Sequence, residues 1–246
     1  MSPCFIVLIF AVSLFAGATA SIVGFGIGSL LTPLIALRYG TDTAIVLVSL
    51  PHLAGSLLRG WRLRMAIDKS VLAHFGILSV SGGLTGAFLF TQLNATALTP
   101  LLGVLLIMSA IAGLTARRER WQPRGPLVWL LGGLSGFFGG IVGNQGGLRA
   151  AALSAFRLAP PAFVATSTAI GIVIDLARTP FYLYSDWSTI TGNGALILGI
   201  STGVIVGTLL GERVLLGLSP KIFRTAVSVA IGLLGVWFLY NWREGF

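Results

Sequence analysis

No charged side chain occurs between Met1 and Leu37, and between Ser70 and Ala116 the single ionisable group is His74. Stretches of this length cannot be covered by a water-facing surface. A soluble domain carries about 25% charged residues, whereas Asp, Glu, Lys and Arg make up 9% of this chain of 246 residues. Hydrophobic residues make up 55%. A soluble enzyme, a disordered chain and a nucleic-acid binder are excluded. The formal net charge of +9 reads first as an orientation signal for a membrane protein. The single Cys4 excludes a disulfide framework and a cysteine-based metal site. The composition is that of an all-α polytopic membrane protein.

A helix needs roughly 20 apolar residues to cross the hydrocarbon core. Breakers and hydropathy divide the chain into apolar stretches at about 4–37, 43–58, 71–91, 97–116, 127–156, 162–179, 192–211 and 222–242. The first and fifth are too long for one span, and each is interrupted by glycines, at Gly24-Phe-Gly26-Ile-Gly28 and at Gly143-Asn144-Gln145-Gly146-Gly147. Clustered glycines favour a helix break. The second and sixth are short for a span. Residues 5–20 end in Ala18-Thr19-Ala20, which resembles a signal-peptide cleavage site. No positive charge precedes them, and the residues just beyond recur later in the chain, so they are read as part of the fold.

That recurrence is an internal duplication. Ile22-Val23-Gly24 matches Ile141-Val142-Gly143 at an offset of 119, as do Gly17 with Gly136, Gly28 with Gly147, Ser49 with Thr168, Ser56 with Asp175 and Arg59 with Arg178. Gly82 and Gly86 match Gly203 and Gly207 at 121. A register held across four segments predicts two homologous four-segment repeats, 1–116 and 127–246, joined by a basic cytoplasmic linker at 117–126. Arg59, Arg62, Arg64 and Lys69 flank a charge-free hairpin together with Arg117, Arg118, Arg120 and Arg124, so both groups are placed on the cytoplasmic side. If the broken segments enter and return, the repeats are inverted and both termini lie outside. The outside then holds only Arg38, Arg178 and Arg243 besides the aromatic loop Phe181–Trp187. If they cross, the repeats are parallel. The charge distribution favours inversion. Tryptophans 61, 129, 187, 237 and 242 fall near segment ends, as an interfacial belt would.

Irregular backbone at membrane depth is tolerated where it is buried or lines a polar cavity, so paired breaks point to a transport site between repeats. The N–H groups that start each following half-helix favour an anion. The candidate substrate-binding residues are Gly24, Gly26, Gly28, Asn144, Gln145, Gly146, Gly147 and Arg149. Arg149 sits in the first turn of a half-helix, where the dipole disfavours a cation, and its planar fork suits an oxyanion. Each residue has a plainer reading beside this one. The glycines also allow close helix packing, Asn144 and Gln145 also cap freed backbone, and Arg149 also reaches a lipid phosphate or a carbonyl. His52, Asp175 and Arg178 are candidates for coupling or gating; Asp175 and Arg178 equally form an interfacial ion pair, and His52 a structural hydrogen bond. No residue cluster has metal-ligand spacing and no nucleotide-binding motif occurs, so neither an enzyme nor a cofactor is expected.

At these residues the chain resembles the TauE/SafE sulfite-exporter family of bacterial permeases. The resemblance rests on the eight segments, the duplication, the degenerate first motif Gly24-Phe25-Gly26-Ile27-Gly28 with Leu30-Leu-Thr-Pro33-Leu after it, and the second motif Gly143 to Arg149. Ala165-Thr-Ser-Thr-Ala169 is similar to a further stretch of the family. The resemblance implies a secondary transporter of a small anion, sulfite or a related organosulfonate, in the bacterial inner membrane. Its partners are then the anion, the lipid bilayer and a coupling proton or ion; a monomer and a homo-oligomer both fit. A carboxylate carrier, an anion channel and a non-transporting scaffold or sensor subunit are the alternatives.

Overall fold

A computed structural model describes residues 3–24, 26–114, 125–144, 146–153, 156–214 and 220–242. Among them the regular structure is helical: α1 (Pro3–Val23), α2 (Ile27–Tyr39), α3 (Thr41–Arg62), α4 (Lys69–Phe90), α5 (Ala95–Leu114), α6 (Pro126–Val142), α7 (Gly146–Leu153), α8 (Pro160–Ser185), α9 (Trp187–Gly192), α10 (Gly194–Val214) and α11 (Pro220–Asn241). A short 3-10 turn, Arg64–Ala66, links α3 to α4. Six helices are long and apolar enough to cross a membrane: α1, α3, α4, α5, α8 and α10. Ile77 on α4, Leu198 on α10 and Leu233 on α11 are largely exposed on the outside, a surface that lipid covers and water does not. The linker at 117–126 lies outside the described residues except for Gly125 and Pro126, as do Phe25, Gln145 and Arg243.

Three helix pairs pack over the longest lengths: α4 with α6, α1 with α10, and α5 with α11. Bare glycine backbone makes this approach possible. A Cβ on Gly86 would strike the carbonyl of Phe137, one on Gly207 the carbonyl of Leu14, and one on Gly235 would sit 2.8 Å from the carbonyl of Gly103. In a membrane, where lipid is as apolar as leucine, such dispersion contact replaces the hydrophobic drive. Helices α3 and α8 pack against each other and against α2, α4 and α10 in the interior.

Helices α1 and α6 end in the same way. Gly24 N–H donates to the Ala20 carbonyl at 3.0 Å and Gly143 N–H to that of Gly139 at 3.1 Å, each glycine in the left-handed region. At Gly143 (φ 68°) a side chain is excluded twice, by conformation and because its Cβ would lie 2.5 Å from Arg178 Nη1.

Three sequence expectations are corrected. The second and sixth segments are full helices of 22 and 26 residues, not short ones. Polar residues within them, His52, Ser56 and Arg59 on the one and Asp175 and Arg178 on the other, lower the hydropathy, yet these side chains are buried in protein. Phe181–Trp187 is not a loop, because α8 continues to Ser185 with Tyr182 fully buried. Arg59 is not a loop charge and Arg178 not an interfacial one: both lie inside helices, 4% and 1% exposed, whereas Arg62, Arg64 and Lys69 are exposed.

The glycine contacts predict that Gly86→Val and Gly207→Val each cost roughly 2 kcal/mol or more, since backbone cannot yield as a side chain can. The apparent melting temperature of the purified protein should fall by about 5 °C or more. Gly199→Ala, where a Cβ meets nothing within 4 Å, should leave it unchanged.

Candidate functional site

Helical spacing lines up the polar groups of α3 and α8. His52, Ser56 and Arg59 recur every three or four residues on one face of α3, and Thr168, Gly171, Asp175, Arg178 and Tyr182 do so on α8. The two faces meet, and all the polar members are buried.

Asp175 is the centre of this contact. His52 Nδ1 lies 2.6 Å from its Oδ2, while Arg178 Nε donates to Oδ1 at 3.0 Å and Arg178 Nη2 lies 2.9 Å from the same atom. Both carboxylate oxygens are therefore engaged. The third arm of Arg178, Nη1, donates to the carbonyl of Gly139 at 3.0 Å, and Tyr182 Oη donates to that of Gly140 at 2.5 Å. These carbonyls belong to the last turn of α6, at the negative end of its dipole, and that of Gly139 accepts from Gly143 N–H as well. The pair Asp175–Arg178 expected at an interface is thus a buried triad with His52, fastened to the end of α6.

Two further guanidiniums are buried nearby without a carboxylate among the described residues. Arg59 Nε donates to Thr168 Oγ1 at 2.8 Å, and Arg149 Nε donates to Ser167 Oγ at 2.9 Å. Arg59 Nη1, Arg149 Nη1, Asn144 Nδ2 and Ser56 Oγ are buried with no hydrogen-bond partner. An unsatisfied buried polar group costs about 1–3 kcal/mol, and a charged one more.

The chain's two glycine motifs meet beside this cluster. A Cβ on Gly28 would lie 2.7 Å from the carbonyl of Gly143 and 3.9 Å from His52 Cδ2. Across the same junction Ser29 Oγ donates to Asn144 Oδ1 at 2.8 Å. The start of α2 has no side-chain cap, and Gly26 (φ 134°) holds a conformation that favours glycine. Gly146 and Gly147 open α7, which carries Arg149 one turn later. Gly24 faces Val164. Gln145 lies outside the described residues.

Arg59, Ser29, Ser56, Ser167, Thr168 and Tyr182 join the site without having been singled out for it from the sequence. Arg59 was legible in principle, standing seven residues after His52 and at offset 119 from Arg178. Thr166, Ser167 and Thr168 also follow from the structure alone: Thr166 Oγ1 accepts from Asp68 N–H at 2.9 Å, so three consecutive hydroxyls bind three different elements. Among the described residues no three His, Cys, Asp or Glu side chains converge as metal ligands.

The family described as Sulfite exporter TauE/SafE matches residues 9–238, and the chain belongs to this family of membrane permeases. No curated protein and no solved structure matches it.

Removing one partner of a buried ion pair strands the other, at about 3–5 kcal/mol. Asp175→Asn should therefore lower the apparent melting temperature by about 10 °C. Asp175→Asn combined with Arg178→Gln should recover a measurable part of that loss. Equal losses in the single and double variants would contradict the pairing.

Proposed function

We propose that this TauE/SafE permease is a secondary transporter that carries a small oxyanion, sulfite or a related organosulfonate, through a site where its two glycine breaks meet. The observation that carries the reading is Arg149, 2% exposed, its Nε anchored on Ser167 and its Nη1 buried without a partner. Asn144 adds a second unpartnered donor, and the first N–H groups of α2 and α7, at Gly28, Gly146 and Gly147, supply the positive ends of two helix dipoles. Gln145 is assigned to the same site. Donors of this kind match an oxyanion and repel a cation. A non-transporting scaffold gives these stranded charges no purpose.

The chain is read as two inverted repeats, 1–116 and 127–246, that rock about this site. The packing pattern supports exchange symmetry: α1 pairs with α10 while α6, at the matching place in the second half, pairs with α4, and α5 pairs with its counterpart α11. Matching glycine caps at Gly24 and Gly143 support it too. In transporters built this way the midplane site faces one side and then the other. The membrane is taken to be the bacterial inner membrane.

His52, Asp175 and Arg178 are assigned to coupling. Arg178 holds Asp175 with two nitrogens and the end of α6 with the third. A proton taken up by the His52–Asp175 pair weakens the hold on Arg178, and Arg178 in turn loosens its grip next to the break. Proton binding is thereby linked to the geometry of the anion site.

The test is sulfite flux into proteoliposomes made with the purified full chain. Wild type should give saturable flux. Arg149→Gln, with unchanged elution on gel filtration, should raise the half-saturating concentration roughly 10- to 100-fold, the worth of a hydrogen bond to a charged group. Wild-type flux in that variant would sink the assignment.

A further inference from the structure

We propose that the anion is bound in its divalent form, between Arg59 and Arg149, and that Ser167 and Thr168 are the positioning residues that set this charge preference. The inference rests on the oxyanion reading above and deepens it.

The argument is a charge inventory joined to geometry. Among the described residues the buried ionisable groups of the interior are Arg59, Arg149 and Arg178, one carboxylate, Asp175, with His52 and the phenol of Tyr182. Asp175 is fully used, one oxygen by His52 and the other by Arg178. Arg59 and Arg149, held by the adjacent hydroxyls of Thr168 and Ser167, are left as two positive charges. In a low-dielectric interior two such charges call for two negative ones. A monovalent anion leaves one guanidinium uncompensated, and a divalent one leaves none.

The geometry explains why these two arginines do not turn elsewhere. Ser167 and Thr168 are neighbours on α8, and each accepts the Nε of an arginine arriving from a different element, Arg149 from α7 and Arg59 from α3. A guanidinium is planar, so fixing Nε also fixes the direction of its fork. On both arginines Nη1 is then buried with its hydrogens unused. On α8, one turn beyond, Gly171 has no side chain, and a Cβ there would crowd Arg149 Nη1 at 3.0 Å. Ser56 Oγ, one turn before Arg59 on the same face of α3, and Asn144 Nδ2 are further buried donors without partners. A trigonal or pyramidal oxyanion, with three oxygens and two charges, matches this set of donors.

The test compares two ligands of one shape. Sulfite in mildly alkaline buffer is a pyramidal dianion; methanesulfinate has the same pyramidal sulfur with a methyl group in place of one oxygen, and a single charge. Their binding to the purified full chain is measured by titration calorimetry. Wild type should bind sulfite about tenfold or more tightly than methanesulfinate, the worth of one charge-assisted contact. Arg59→Gln should erase that preference while methanesulfinate still binds, and Arg59→Lys, which keeps the charge, should retain it. Equal affinity of wild type for the two anions would overturn the divalent assignment and leave the oxyanion reading standing. Binding of neither, with no sulfite flux, would overturn both.

Discussion

A guanidinium cannot rest in a low-dielectric interior unless something compensates its charge, and among the described residues three of them are buried around one carboxylate. That imbalance governs the rest of the structure. Asp175 compensates Arg178 completely and, through it, ties the end of α6 to α8. The remaining two arginines are oriented by hydroxyls, which satisfy geometry without supplying charge. Burying an ion pair costs desolvation that its attraction barely repays, so a fold does not gain stability by this arrangement. In membrane proteins such residues mark a pathway for charge.

The helices around this centre show how the cost is borne. Three pairs, α1 with α10, α4 with α6 and α5 with α11, surround the charged faces of α3 and α8. Their glycines let backbones touch, which gains dispersion energy over long lengths and excludes lipid from the polar seam. Apolar side chains then turn outward, as Leu198 and Leu233 do. The polar seam therefore lies inside an apolar core, and the exterior is apolar as well.

Helical class and membrane character were legible from the uncharged runs, and the family from the order of its motifs. The boundaries of α3 and α8 were not, because the apolar stretches stop just before Arg59 and just after Arg178, where protein, not solvent, surrounds the charges. Tyr182 was hidden for a related reason: Pro180 and the aromatic run suggest a loop, yet its hydroxyl reaches back 42 residues to Gly140. Of the candidate site, Asn144 and Arg149 stood out because they follow a glycine break. Ser29, Ser167 and Thr168 did not, since single hydroxyls in apolar helices are common and acquire a role only from the arginine or amide opposite them. His52 and Asp175 lie 123 residues apart, a pairing that no local pattern announces.

The central claim is that a buried anion completes the two stranded guanidiniums. Locating selenite, the heavier analogue of sulfite, by anomalous scattering from crystals of the full chain tests this most directly. The account predicts one selenium peak with its oxygens within hydrogen-bond distance of Arg59, Arg149 and Asn144. A peak elsewhere in the protein, with these three side chains bonded to one another or to water, would contradict it.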